Sequence, residues 1–160
     1  LSIFKITHEG SSNFSIVLMD SDGERVELLV NEIGKFVGSK AVGIANGSEY
    51  ILDISANGKW AVTIEQPRSI SAPSKPVNLT GRGQQSSDFF TLDNGLSVFR
   101  MTHDGKSNFA VVLMDENGER YDLLVNEIGK FDGSKAVGIS NSGSYLLDVS
   151  ADGNWSITVE

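Results

Sequence analysis

The chain of 160 residues has no cysteine, which excludes disulfides and thiolate metal sites. That absence fits the cytosol or an exterior, so it does not by itself assign a compartment. Histidine is nearly absent too: His8 and His103 are the only two, too few for a dinuclear or three-histidine centre, and catalytic zinc is not expected. No apolar run approaches the roughly 18 residues of a membrane-spanning helix. Basic residues are outnumbered 13 to 21, giving a net charge of −8 and a pI near 4.7. The Lys and Arg residues are scattered, so nucleic acid and anionic membrane surfaces are not expected partners. No window carries a helical period. The chain begins with Leu1, already in a strand pattern, rather than with Met. A processed or excised piece of a longer protein is expected, with any signal peptide or anchor outside it.

What is present is an ordinary globular balance, 39% hydrophobic and 21% charged, written twice. Aligning residue n with n+95 from Leu1 to Glu65 needs no gap and gives 42 identities in 65 pairs. The stretch Leu28 to Ile44, LLVNEIGKFVGSKAVGI, returns as Leu123 to Ile139 with one change, Val37 to Asp132. A period this long implies two whole domains rather than solenoid units. All three prolines, Pro67, Pro73 and Pro76, fall between the copies. The expected organisation is a first repeat over 1–66, a Pro/Ser-rich linker over 67–85 and a second repeat over 86–160. Ser86 to Gly95, SSDFFTLDNG, has no counterpart before Leu1 and is too apolar for free linker. It reads as the opening strand of the second repeat, which the first repeat lacks. Either the first repeat is incomplete, or another chain or the linker closes its edge.

Within each copy the period is two. Phe14, Ile16 and Leu18 alternate with Ser15, Val17 and Met19; Tyr50, Leu52 and Ile54, and then Trp60, Val62 and Ile64, continue the pattern. Asp22-Gly23, Asn46-Gly47, Asn57-Gly58, Asn117-Gly118 and Asp152-Gly153 supply two-residue hairpin signals with positive φ at both positions. Six or seven short strands per copy imply an all-β protein of two tandem small antiparallel β-sandwiches, jelly-roll-like. Such a domain buries only about 60% of its unfolded surface. Trp60 and Trp155 are therefore the expected core anchors, each with on the order of 200 Å² to bury.

No constellation names a reaction. His8 in Thr-His-Glu-Gly and His103 in Thr-His-Asp-Gly read as turn histidines capping backbone groups, and no Ser-His-Asp set assembles. Asp20-Ser21-Asp22-Gly23-Glu24 resembles the opening of a calcium loop, but the later bidentate Glu is missing, so a plain hairpin turn and no cofactor are expected, with calcium the alternative. Asn13 and Asn108 enter strands from Gly-containing turns, where Asn bonds its own backbone; Asn13-Phe14-Ser15 also fits the glycosylation triplet. The remaining candidate is the loop expected after the LLVN strand. Asn31, Glu32, Lys35, Phe36 and Lys40, with Asn126, Glu127, Lys130, Phe131 and Lys135 in the second copy, gather amide, carboxylate, ammonium and aromatic groups within ten residues. The competing reading has Ile33 and Phe36 folded inward as a plug. Position 37, which alone changes, is expected to face solvent.

Ser-Asn-Phe, Leu-Leu-Val-Asn, Gly-x-Phe-x-Gly and Gly-Ser-Tyr-Leu-Leu-Asp-Val-Ser-Ala-Asp-Gly-Asn-Trp-Ser-Ile together resemble a little-characterised β-sandwich domain of bacterial and archaeal extracytoplasmic proteins. The closing part, Gly143 to Val159, is similar more loosely to pre-peptidase C-terminal domains, jelly rolls appended to secreted enzymes. The resemblance rests on core and turn residues and implies a non-catalytic secreted or cell-surface module. The expected function is a tandem binding or adhesion module with two near-equivalent sites, its ligand a carbohydrate or a cell-surface protein. Two linked weak sites would raise avidity by about 10²–10⁴. The alternative is a structural spacer within a larger surface or membrane-anchored protein.

Overall fold

The alternation of apolar and polar residues becomes strands throughout the computed structural model, which describes residues 1–44, 47–68 and 72–160. The first copy supplies β1 (Ser2–His8), β2 (Asn13–Asp20), β3 (Arg25–Ile33), β4 (Phe36–Val42), β5 (Tyr50–Ser55) and β6 (Trp60–Glu65). Then come β7 (Val77–Arg82), β8 (Gln85–Ser86) and β9 (Phe90–Leu92). The second copy supplies β10 (Gly95–His103), β11 (Asn108–Asp115), β12 (Arg120–Ile128), β13 (Phe131–Ile139), β14 (Gly143–Ser150) and β15 (Asn154–Val159). In β1 and β10 every second side chain is buried, as half-covered strands require.

Each copy forms two antiparallel sheets. In the first they are β4-β1-β6 and β3-β2-β5. In the second they are β13-β10-β15-β7 and β12-β11-β14, with β8 and β9 both pairing β14. Register is repeated with the sequence: His8 lies opposite Phe36 and Trp60, and His103 opposite Phe131 and Trp155. Even the irregularities recur, between Ile16 and Val17 in β2 and between Val111 and Val112 in β11. The first core is built on Phe4, Ile6, Phe14, Ile16, Leu18 and Leu29. The second adds Val77, Phe90 and Leu92 to the equivalent residues.

Three expectations need correction. Much of 67–85 is not linker, because β7 and β8 pair with β15 and β14 of the second sandwich. The prolines stop at Pro76, and the Val77-Asn78-Leu79 alternation begins at once, with Val77 opposite Val159. The second sandwich therefore opens at β7 rather than at Ser86. Trp155 is an anchor at 5% exposure, but Trp60 is 49% exposed. Finally, among the described residues none other than glycine has positive φ, so Asp22-Gly23 and Asn117-Gly118 are not mirror-image two-residue turns. Gly23 N–H donates to Asp20 O, Asp20 N–H to Glu24 O, and Gly23 alone sits at φ +81°, the three-residue hairpin with a glycine bulge. Asn46-Gly47 lies partly outside the described residues.

Candidate functional site

The sequence places a free loop over 31–40, but strands occupy nearly all of it. Asn31 and Glu32 end β3, Phe36 and Lys40 belong to β4, and only Gly34 and Lys35 lie between. This corner carries the chain from one sheet to the other. His8 holds it: Nδ1–H donates to Gly34 O at 2.7 Å, and the ring stacks on Phe14 with centroids 4.2 Å apart. Phe36 tilts against Phe14 at 6.2 Å and packs on the first core. His103, Gly129, Phe109 and Phe131 repeat the arrangement. Phe36 and Phe131 are thus plugs and the histidines are corner locks, each bonding a carbonyl about 26 residues away. His103 Nε2 lies 3.3 Å from Asp152 Oδ1 yet makes no hydrogen bond; alignment decides, and the two are only neighbours. Ile33 and Ile128 do not fold inward, each being 81% exposed. Val37 and Asp132 face solvent as expected. Lys35, Lys130, Asn126 and Glu127 are exposed as well.

Lys40 and Lys135, equivalent in sequence, do different things. Lys135 Nζ donates to Asp122 Oδ1 and Leu123 O inside its own sandwich, at 2.9 and 2.7 Å. Lys40 Nζ instead reaches Asp148 Oδ2 of the other sandwich at 2.5 Å, while Ala41 N–H donates to Asp148 Oδ1 at 3.0 Å. Burial holds the Asp148 carboxyl above the usual carboxylate range, and the Lys40 ammonium and the Ala41 amide oppose that shift. Around this pair, Ser39 Oγ accepts from Ser86 N–H, Ser39 N–H donates to Gln84 O, and Gln84 Nε2 donates to Leu29 O. Ala41, Met114 and Leu146 form an apolar cluster with Leu1, Ile3, Phe89 and Val112. Gly43 and Gly118 approach so closely that a Cβ on Gly43 would lie 2.5 Å from Gly118 O.

Beside this junction is a cleft of about 480 Å³. Asn31, Glu32 and Lys40 line it from the first sandwich, and Asn108, Asp152 and Gln84, in the β7–β8 turn, from the second. Three of the five candidates in the first copy meet there; none of the five in the second copy does. The cleft is thus composite, lined by residues of both sandwiches, and the second-copy candidates lie outside it. Sequence reasoning missed Asp148, Gln84 and Ser86. Asp148 gave no signal, because its counterpart Asp53 is the same residue and is exposed. Gln84 and Gln85 read as linker, and Ser86 as the start of the opening strand of the second repeat.

The acidic turns are closed on themselves. Asp20 Oδ1 accepts from Asp22 and Glu24 N–H, and Asp115 Oδ1 from Asn117 and Glu119 N–H. Among the described residues, no three His, Asp or Glu side chains cluster as metal ligands. The fold and junction define a class, an all-β protein of two sandwiches joined through a buried ion pair. No protein-family model matches the chain, and no curated protein sequence matches it either.

Proposed function

We propose that the chain is a non-catalytic structural module of a larger extracytoplasmic protein, a stiff spacer in which one sandwich is fixed against the next. The observation that carries this reading is the junction: Lys40 and Asp148 have side chains 17% and 4% exposed, and they pair across it. Opening the junction would give up that pair, the Ala41, Ser39 and Gln84 hydrogen bonds and the apolar cluster around Ala41 and Leu146 together, so one relative placement is favoured. A flexible tether would not need it. The surfaces that meet are different from one another, and each recurs uncovered on the other sandwich. Ser134 and Ala136 repeat Ser39 and Ala41 but are exposed, and Ile51 is 53% exposed where Leu146 is 1% exposed. A joint of this heterologous kind is one that further copies of the sandwich could repeat head to tail. The extracytoplasmic placement rests on the resemblance of the core and turn motifs.

Because the chain has no native cysteine, Ile33→Cys and Ile128→Cys give a clean pair of exposed spin-label sites. The expected distance distribution is single and narrow, and Lys40→Ala broadens it. A broad distribution in the unmutated background would overturn the spacer reading.

The junction cleft favours a second reading, a binding module for a carbohydrate or a surface protein. Its volume falls in the range of ligand sites, about 300–1,000 Å³. Titration with soluble oligosaccharides, followed by amide shifts at Asn31, Asn108 and Asp152, tests it. Saturable shifts confined to the cleft would support binding, and none at millimolar sugar would count against a carbohydrate ligand.

A further inference from the structure

The two sandwiches present the same acceptor strands, but only one pair is covered. In the second, β7 lies along β15, with Val77 opposite Val159, Leu79 opposite Ile157 and Gly81 opposite Trp155. On the other sheet Gln85 lies opposite Val149 and Phe90 opposite Tyr145 along β14. The equivalents of β15 and β14 are β6 and β5. Trp60, Thr63 and Glu65 are identical to their counterparts, as are Tyr50, Leu52, Asp53 and Ser55. Among the described residues nothing pairs with the outer edges of β5 and β6. Ile64 is 54% exposed where Val159 is 0% exposed. Two open, mostly apolar edges flanking a half-covered core are unusual in a native sheet protein, which normally blunts them with lysine, proline or a cover.

We propose that this side of the first sandwich is a strand-acceptor cleft that takes an incoming polypeptide segment with the chemistry of Val77–Leu92. The filled copy defines that chemistry. An apolar-x-apolar-x-Gly stretch, as in Val77-Asn78-Leu79-Thr80-Gly81, adds to β6. The glycine is required because the indole lies against it: a Cβ on Gly81 would stand 2.3 Å from Trp155 Cζ2. A carbonyl two residues on, as Gly83 O does for Trp155 Nε1–H, accepts from the Trp60 indole. A second apolar pair, as in Phe90 and Leu92, crosses to β5 and plugs the core beside Tyr50 and Leu52. Main-chain pairing gives affinity and the alternate side chains give selectivity, as in strand addition generally. The donor is not residues 77–92 of a second copy. Each copy carries one such segment, whose Phe90 and Leu92 are fully buried in its own second sandwich. Exchange would open one cleft for each it filled.

A synthetic peptide covering residues 76–93 tests this on the full chain. It contains no Trp or Tyr, so tryptophan emission reports the protein alone. The expected result is a saturable one-to-one blue shift, absent in Trp60→Phe, together with slowed amide exchange on β5 and β6. A peptide carrying Gly81→Val should lose the response. The proposal is overturned if no saturable shift develops at millimolar peptide, if the shift persists in Trp60→Phe, or if the Gly81→Val peptide works equally well. Concentration-dependent dimers formed by exchange of 77–92 would overturn it as well.

Discussion

Trp60 and Trp155 stand at equivalent places in equivalent strands, opposite His8 and His103, and they have different fates. Trp155 lies against Gly81, donates to Gly83 O and is 5% exposed; Trp60 is 49% exposed. The same contrast runs along the strands. Tyr145, Leu147 and Val149 are buried, whereas Tyr50, Leu52 and Ile54 are only half-buried. Directly opposite those tryptophans, however, the copies agree, with His8 and His103 buried and stacked alike. A core residue is thus defined by what lies over it as much as by its own chemistry. Here the cover is β7 to β9.

The largest way to test that contrast is at the tryptophans. Trp155→Ala should cost roughly 3–5 kcal/mol by leaving a cavity, whereas Trp60→Ala should cost well under half as much, since half its surface is already in water. Denaturant unfolding followed by amide exchange on β6 and β15 separates the two sandwiches. Equal losses would show that Trp60 is covered in solution.

The junction lysines come next. Lys40→Ala leaves Asp148 buried without its cation, which should cost about 3 kcal/mol unless the junction opens instead. Lys135→Ala removes a pair whose side chains are 36% and 30% exposed and should cost under about 1 kcal/mol. The effect has a pH signature. Burial raises the Asp148 pKa in the folded chain, so that group's contribution is full below the ordinary carboxylate value and is lost as pH rises through the folded value. Lys40 offsets that loss. Lys40→Ala should therefore loosen the junction at neutral pH and recover on acidification, as read by amide exchange at Ala41.

Substitutions at the corner histidines should sharpen the contrast by failing to show it. His8→Ala and His103→Ala each strand a corner carbonyl, at about 1–3 kcal/mol, and the two values should agree. A twofold disagreement would mean that the missing cover is felt across the whole first sandwich.

The smallest effect concerns acid. Hydrogen bonds from the Asn154 side chain and backbone hold Asp104 below the usual carboxylate range, and the Lys106 amide does the same for Asp152. Stability from such groups is present above the ordinary value and lost as pH falls through the lowered one. In the first sandwich Asn57 Oδ1 takes the Ser12 amide with no charge to lose. The turns around Asp104 and Asp152 should thus loosen slightly below the carboxylate range while the Asn57 turn does not, which amide exchange at Ser107 and Ser12 would register.

Much of this is readable in the sequence. Period-two alternation named the strands, because a pleated strand half in water must alternate. The duplication named two sandwiches. The exposure of position 37 followed from its being the one difference in Leu28 to Ile44. The candidate loop failed for a local reason: Gly34 lets the chain change sheets in a two-residue corner, so polar residues on either side are strand residues. Nothing in Lys40 or Asp148 distinguishes them from Lys135 or Asp53.

By itself, then, the sequence determined the strands, the repeat and which face of each strand turns inward, since these depend on period and side-chain size. Only the tertiary structure decided which copy is closed, which lysine reaches across to its neighbour and where a cleft opens. Identical residues cannot encode different burial; the segment that lies over them does.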